Sequence, residues 1–247
     1  MIDRKLLNDP SYTALLSLDY GVSSGSGFHL NHNSSKYLVT ARHVLFNHEK
    51  KVRCSKLVVT SQNIRGREDE SQIIEIDIPT ATIIPSDTDD VALILLEVAG
   101  VKENCIKVIQ AGNLNCSYID STITRGINEI KIANEVFLIG HPTSLIAQGT
   151  KYFDISRPLL RRGIISGFNL QDKTFIIDCP AYYGNSGGPI LEIGEDDIIR
   201  LIGIVSLAIP FVITWKNNRE TTITNNEFSI SGYSVCVPID AIFTILR

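Results

Sequence analysis

Gly184-Asn185-Ser186-Gly187-Gly188-Pro189 is the stretch on which the reading of this chain turns. A serine set among glycines sits in a tight turn with exposed backbone, where neighbouring N–H groups can point at a ligand. That suits a nucleophile beside an oxyanion-binding site. Gly, Ser and Asn also build ordinary turns, so the six residues gain meaning only if a base and an orienting acid lie elsewhere in the chain.

A serine hydroxyl is a weak nucleophile; it needs a base, and the base needs a group that orients it. Of the histidines, His43 closes the run Tyr37-Leu38-Val39-Thr40-Ala41-Arg42-His43. The apolar, β-branched residues predict a strand that ends at the histidine and holds it rigidly. The acid is expected at Asp90, directly before the apolar run Val91-Ala92-Leu93-Ile94-Leu95-Leu96. A carboxylate in that place is partly buried and needs a hydrogen-bond partner, and an imidazole N–H is one. The alternative is that Asp87, Asp89 and Asp90 simply cap a turn; Asp90, directly abutting the apolar run, is preferred over Asp89.

The order of the three separates two enzyme architectures. Gly184-Asn185-Ser186-Gly187-Gly188 also satisfies the G-x-S-x-G nucleophile elbow, whose fold requires the order Ser, acid, His. No histidine follows Ser186. The order His43, Asp90, Ser186 is the other one.

With these residues in hand the chain resembles the trypsin/chymotrypsin-fold serine peptidases, nearest their HtrA/Deg-like branch. Thr40-Ala41-Arg42-His43, Asp90-Val91-Ala92-Leu93 and Gly184 to Pro189 match the motifs that carry the catalytic triad. Gly25-Ser26-Gly27-Phe28, Val136 to Pro142, Gly163 to Gly167, Ile202 to Leu207 and Gly232 to Pro238 match further segments in the same order. The resemblance implies an all-β fold of two antiparallel six-stranded β-barrels with a short C-terminal helix. It implies His43, Asp90 and Ser186 as triad and the backbone of Gly184 and Ser186, with Asn185, as oxyanion hole. It implies a substrate strand at Ser206, Leu207 and Ala208. The specificity pocket would be formed by Pro180 and Ala181, by Leu207, Ala208 and Ile209, and by Gly232, Tyr233 and Ser234; it carries no charge, which favours a small or medium apolar residue before the scissile bond. Asp178 is expected to point away from it.

The departures carry information too. Arg42 replaces a small residue beside the histidine, and Val44 replaces a cysteine of secreted trypsins. Asn185 replaces the aspartate with which secreted trypsins sense a new N-terminus, so activation by clipping is not expected. With the chain ending at Arg247, no PDZ domain is expected to follow.

At 247 residues the chain can bury two β cores in a single domain. The expected division is an N-terminal barrel over 14–115, a C-terminal barrel over 130–238 and a terminal helix over 239–247. A net charge of −4 argues against a nucleic-acid partner. Cys54, Cys105, Cys116, Cys179 and Cys236 are odd in number and lack framework spacing, which fits a reducing compartment. Residues 1–10 have no apolar core of signal-peptide length, so the cytoplasm is expected. The uncharged run Leu201 to Trp215 is too short for a bilayer span and is broken by Pro210, so it reads as two buried strands. Leu57 to Thr60 and Ile73 to Ile78 read as a hairpin around the charged loop Arg65 to Ser71, and Lys216 to Glu220 as a solvated tip. His29-x-x-His32 lacks a third ligand and reads as part of a hairpin loop, so no metal or cofactor is expected. His141 reads as structural.

The functional expectation is a regulated intracellular serine endopeptidase acting on protein or peptide chains, with a regulatory protein partner. The alternative is a catalytically silent peptide-binding scaffold that keeps the fold; Arg42 beside His43 is the feature that favours it.

Overall fold

The computed structural model describes residues 5–62, 70–111, 117–145, 153–216 and 224–247. The fold is all-β, in two antiparallel halves. The first half contains β1 (Thr13–Leu18), β2 (Ser23–His32), β3 (Ser35–Thr40), β4 (Lys56–Ser61), β5 (Gln72–Asp77), β6 (Ile83–Pro85), β7 (Ala92–Val98), β8 (Val101–Lys102), β9 (Ile106–Gln110) and β10 (Ile119–Asp120). Its main path runs β6-β7-β3-β2-β1-β4-β5-β9. The second half contains β11 (Glu135–Gly140), β12 (Leu159–Asn169), β13 (Thr174–Asp178), β14 (Pro189–Ile193), β15 (Ile199–Lys216) and β16 (Thr224–Pro238), closed in the order β11-β12-β13-β16-β15-β14. The six-stranded barrel expected for the second half is therefore present. The first half departs in detail: it is a ten-stranded sheet, curled but not ring-closed among the described residues, with β8 and β10 pairing β7 and β2 off the main path.

Alternation explains the strands. In β4 every second residue is buried, Leu57, Val59 and Ser61, as expected for a strand with one face on the core. The β2–β3 hairpin pairs His32 with Ser35 across the two-residue turn Asn33-Ser34, whose φ values of 49° and 63° give the twist such a turn needs. His29 and His32 thus belong to strand β2 rather than to a loop. His29 is buried, with Nε2 3.0 Å from Ser61 Oγ. Among the described residues no cluster of metal-ligating side chains forms.

One core lies inside the first sheet, built on Tyr12, Leu16, Phe28, Leu38, Leu57, Ile76 and Leu93, and continues across the junction to Leu191, Ile204 and the helix α3 (Ile239–Ile245). The other fills the closed barrel with Val136, Leu138, Ile165, Phe175, Ile177, Ile202 and Val205. The short α1 (Lys5–Asn8) precedes β1. No helix of the described residues is long and apolar enough to cross a membrane.

Two local expectations change, and a third is met. The strand before His43 stops at Thr40, and His43 lies in the single turn α2 (Arg42–Leu45). The run from Leu201 to Trp215 is one strand, not two; Pro210 is accommodated at a bulge between Ala208 and Pro210, and β15 and β16 continue outward as an exposed ribbon. β4 and β5 form the expected hairpin, while 65–69 of its loop and 217–220 of the expected tip lie outside the described residues.

Candidate active site

Topology brings the histidine and the acid together. Antiparallel pairing sets Thr40, at the end of β3, opposite Ala92, at the start of β7. The residues just after Thr40 and just before Ala92 therefore meet at one end of the sheet. There His43 Nδ1 lies 2.7 Å from Asp90 Oδ2, and the His43 backbone N–H donates to Asp90 Oδ1 at 2.9 Å. This two-point grip fixes both the position and the rotation of the ring. An ionised carboxylate can only accept, so Nδ1 carries the proton and Nε2 presents a lone pair. The imidazole is 48% exposed and lines the cleft, while the Asp90 side chain is 24% exposed.

Asp90 Oδ2 also accepts from Ser206 Oγ at 2.5 Å. Burial would raise the Asp90 carboxyl, but the bond to the His43 ring, the charge of that ring, the Ser206 hydroxyl and the His43 N–H together hold it below the usual carboxylate range. Asp89 serves the turn instead, accepting from Thr88 Oγ1 at 2.7 Å. Arg42 points away from the cleft: its Nη1 donates to the carbonyl oxygens of Ser86 and Asp87, at 2.6 and 3.1 Å, and so grips the loop that carries Asp90.

The nucleophile turn rests against the opposite half of the molecule. Ser26 of β2 donates its N–H to the Ser186 carbonyl at 2.9 Å; its Oγ donates to the Gly184 carbonyl at 2.7 Å and accepts from His141 N–H at 2.8 Å. Gly187 N–H bonds the Val205 carbonyl and Val205 N–H the Gly188 carbonyl, which sets Ser186 beside Ser206. Ser186 Oγ donates to the Ser206 carbonyl at 3.1 Å rather than to His43. Both Gly184 and Gly187 have positive φ, 98° and 85°; a Cβ on Gly184 would sit 2.4 Å from the His141 carbonyl oxygen. No larger residue fits either position.

Peptide planarity orients the N–H groups. The Tyr183 carbonyl accepts from Ser144 N–H at 3.2 Å and Thr143 Oγ1 at 3.4 Å. In a trans peptide the Gly184 N–H points the opposite way from that carbonyl. The Asn185 carbonyl is taken by Gly188 N–H, which likewise turns Ser186 N–H outward from the turn. Asn185 differs: its N–H closes the turn on the Tyr182 carbonyl at 2.9 Å, and its Oδ1 accepts from Tyr182 N–H at 2.9 Å. Asn185 is thus a brace for the turn and not an oxyanion donor.

A cleft of about 700 Å³ runs past His43 and Ser186. Ala181, Ser206, Leu207 and Ala208 line it as expected; Pro180, Gly232, Tyr233 and Ser234 do not. The bulges in β15 bring Ser229, Ile230 and Phe228 of the ribbon over the cleft in place of 232–234. Ser234 is fully buried behind it, accepting from Ala181 N–H at 2.9 Å and donating to the Cys179 carbonyl at 2.8 Å. Tyr233 pairs with Asp178 across the strands, and Asp178 is exposed outside the cleft. β14 stops pairing with β15 at Ile204, so Ser206 to Ala208 have β16 on one side and an open edge on the other. The sequence reading passed over Ser26, Arg53, Phe228 and Ile230. Of these only Ser26 had a local signal, the flanking Gly25 and Gly27, which let two chains approach.

The candidate site is thus a carboxylate-oriented imidazole and a serine in a glycine turn, facing one cleft between two β halves. Residues 25–204 match the trypsin-like peptidase domain, and the chain belongs to that family. Among solved structures it is similar to the serine endoprotease from Yersinia pestis, with 18% identity and a TM-score of 0.55 over 98% of this chain and 63% of that one. It is also similar to Deg5, with 15% identity and a TM-score of 0.54 over 97% of this chain and 89% of that one. The chain thus spans 63% of the length of the Yersinia protease. No curated protein sequence matches it. The likeness to both structures is one of fold.

Proposed function

We propose that the chain is a serine endopeptidase that cleaves protein substrates through Ser186, His43 and Asp90. The observation that carries the reading is the two-point bond between Asp90 and His43, with the free Nε2 and Ser186 lining one cleft. Ser186 Oγ swings from the Ser206 carbonyl to His43 Nε2 when substrate enters. His43 takes the proton as Oγ attacks the scissile carbonyl, and returns it to the leaving amine. Asp90 holds the tautomer and stabilises the imidazolium. The N–H groups of Gly184 and Ser186 receive the oxyanion. The substrate backbone joins the open edge of β15 at Ser206 to Ala208.

The residue before the scissile bond meets Ala181, Leu207, Ala208, Phe228 and Ile230. Among the described residues no carboxylate lines the cleft, so a lysine or arginine there would be desolvated without a partner. A peptide library should yield cleavage after Ala, Val, Leu or Ile; cleavage dominated by Lys or Arg would contradict this pocket. Regulation acts through the segments 143–160, 179–185 and 209–231, of which 146–152 and 217–223 lie outside the described residues. The free thiols of Cys54, Cys105, Cys179 and Cys236 support a reducing, cytoplasmic setting, and the net charge of −4 supports protein rather than nucleic acid as partner. No cofactor has a role in this chemistry.

One observation favours a second reading, a silent peptide-binding scaffold: Ser186 Oγ is bonded to Ser206 and not to His43. Catalytic bonds in empty sites often form only with substrate. Hydrolysis of a cleaved peptide with turnover separates the readings, because a scaffold binds without product.

A further inference from the structure

We propose that Arg53 selects an acidic side chain on the leaving-group side of the scissile bond. This rests on the endopeptidase reading. The cleft is divided by chemistry. Along β15 and the ribbon its wall is apolar and neutral. On the His43 side it is lined by Ser23, Val44 and Arg53, and Arg53 is the one permanently charged residue among the described lining.

The guanidinium is held there by the fold. Val52 bridges to Phe46, Arg53 N–H donates to the Leu45 carbonyl at 2.8 Å, and Cys54 next to it is buried. From this anchored backbone Nη1 donates to the His43 carbonyl at 2.9 Å and Nη2 to Ser23 Oγ at 3.3 Å. Both contacts are neutral acceptors. No described carboxylate forms an ion pair with Arg53, although the chain as a whole is acidic. The remaining N–H groups form a planar fork that suits a carboxylate.

The direction of the substrate follows from the chemistry. The acyl half stays bonded to Ser186, with its backbone along β15. The leaving amine takes its proton from His43 and so lies over the imidazole. The residues just after the scissile bond then pass over Val44 and Ser23 toward Arg53, whose guanidinium is tied to the carbonyl of His43 itself. An Asp or Glu there gains a charge-assisted contact; a Lys or Arg meets a like charge.

The test compares kcat/KM for internally quenched peptides identical except for Asp, Asn or Lys at the first and second positions after the cleaved bond. With the wild-type protein Asp should exceed Asn by ~3–10-fold at low salt, a partly solvated ion pair being worth that much, and Lys should fall below Asn. Added salt should shrink the difference. Arg53→Gln should bring the Asp-to-Lys ratio to about one, Arg53→Glu should invert it, and Arg53→Lys should keep its sign. Ratios cancel any general loss from the His43 contact. Equal ratios in wild type and Arg53→Gln overturn the role of Arg53 while leaving the peptidase reading intact. Absence of cleavage of every peptide, together with no reaction of Ser186 with a fluorophosphonate, which has no leaving peptide to read, overturns both.

Discussion

Ser186 Oγ rests on the carbonyl oxygen of Ser206, 3.1 Å away, so the nucleophile is bonded to the strand that a substrate would join. In the proposed mechanism, a substrate backbone N–H pairing with that edge would compete for the same carbonyl and release Oγ to His43, which would couple occupancy of the strand to the chemistry and not only to affinity.

Peptidyl phosphonates of growing length, with one warhead and one residue before it, should therefore show a rising maximal inactivation rate. A gain of about tenfold corresponds to one hydrogen bond realised at the transition state. If length improves only the half-saturating concentration, the coupling is absent.

Arg42 holds the Asp90 loop through the Ser86 and Asp87 carbonyls. Arg42→Ala should lower kcat about tenfold with little change in KM, because the acid loses its fixed position rather than the substrate its pocket. Arg42→Lys should recover part of the loss. Unchanged kcat in Arg42→Ala would assign Arg42 to the surface.

Ser26 joins the two halves under the nucleophile. Ser26→Ala leaves the buried Gly184 carbonyl and His141 N–H without the partner they have now. The expected cost is about 1–3 kcal/mol, read by denaturant midpoint, with slower labelling of Ser186 because Gly184 loses its restraint. A stability change without a labelling change would confine Ser26 to folding.

Two buried histidines make stability fall in mild acid. Burial lowers His29 to about 4, and burial lowers His141 to about 4 against the opposing bond to the Ile155 carbonyl and the charge of Asp154. In the unfolded chain each takes a proton near pH 6.5. Between pH 6.5 and about 4 the unfolded state binds more protons, so stability falls as pH falls through this window, by up to about 1.4 kcal/mol per pH unit for each histidine. Above pH 6.5 the contribution is complete. His29→Gln should flatten the slope in urea titrations; an unchanged slope would mean His29 is charged in the fold.

The fold, and the gathering of His43, Asp90 and Ser186 at one end of the sheet and one cleft, were legible in the sequence for a physical reason. A nucleophile turn must be glycine, because positive φ and close backbone approach admit nothing else, and the base and acid adjoin apolar strands whose pairing dictates their meeting. The substrate walls were not legible. Whether Ser234 or Ile230 faces the cleft depends on bulges between Val205 and Leu207 and between Ala208 and Pro210, and a one-residue shift in a strand exchanges its faces. The length of the β15–β16 ribbon was hidden because Pro210 read as a break. Asn185 read as a donor because its N–H lies between those of Gly184 and Ser186, and only the turn geometry shows it spent on Tyr182.

The most direct test is intact-mass analysis after treatment with a fluorophosphonate, with the modified residue mapped. The account predicts a single adduct on Ser186, none in Ser186→Ala, and a rate lower by roughly 10³-fold or more in His43→Ala and about as much in Asp90→Asn. An adduct that persists in Ser186→Ala, or labelling of His43→Ala at the wild-type rate, would contradict it.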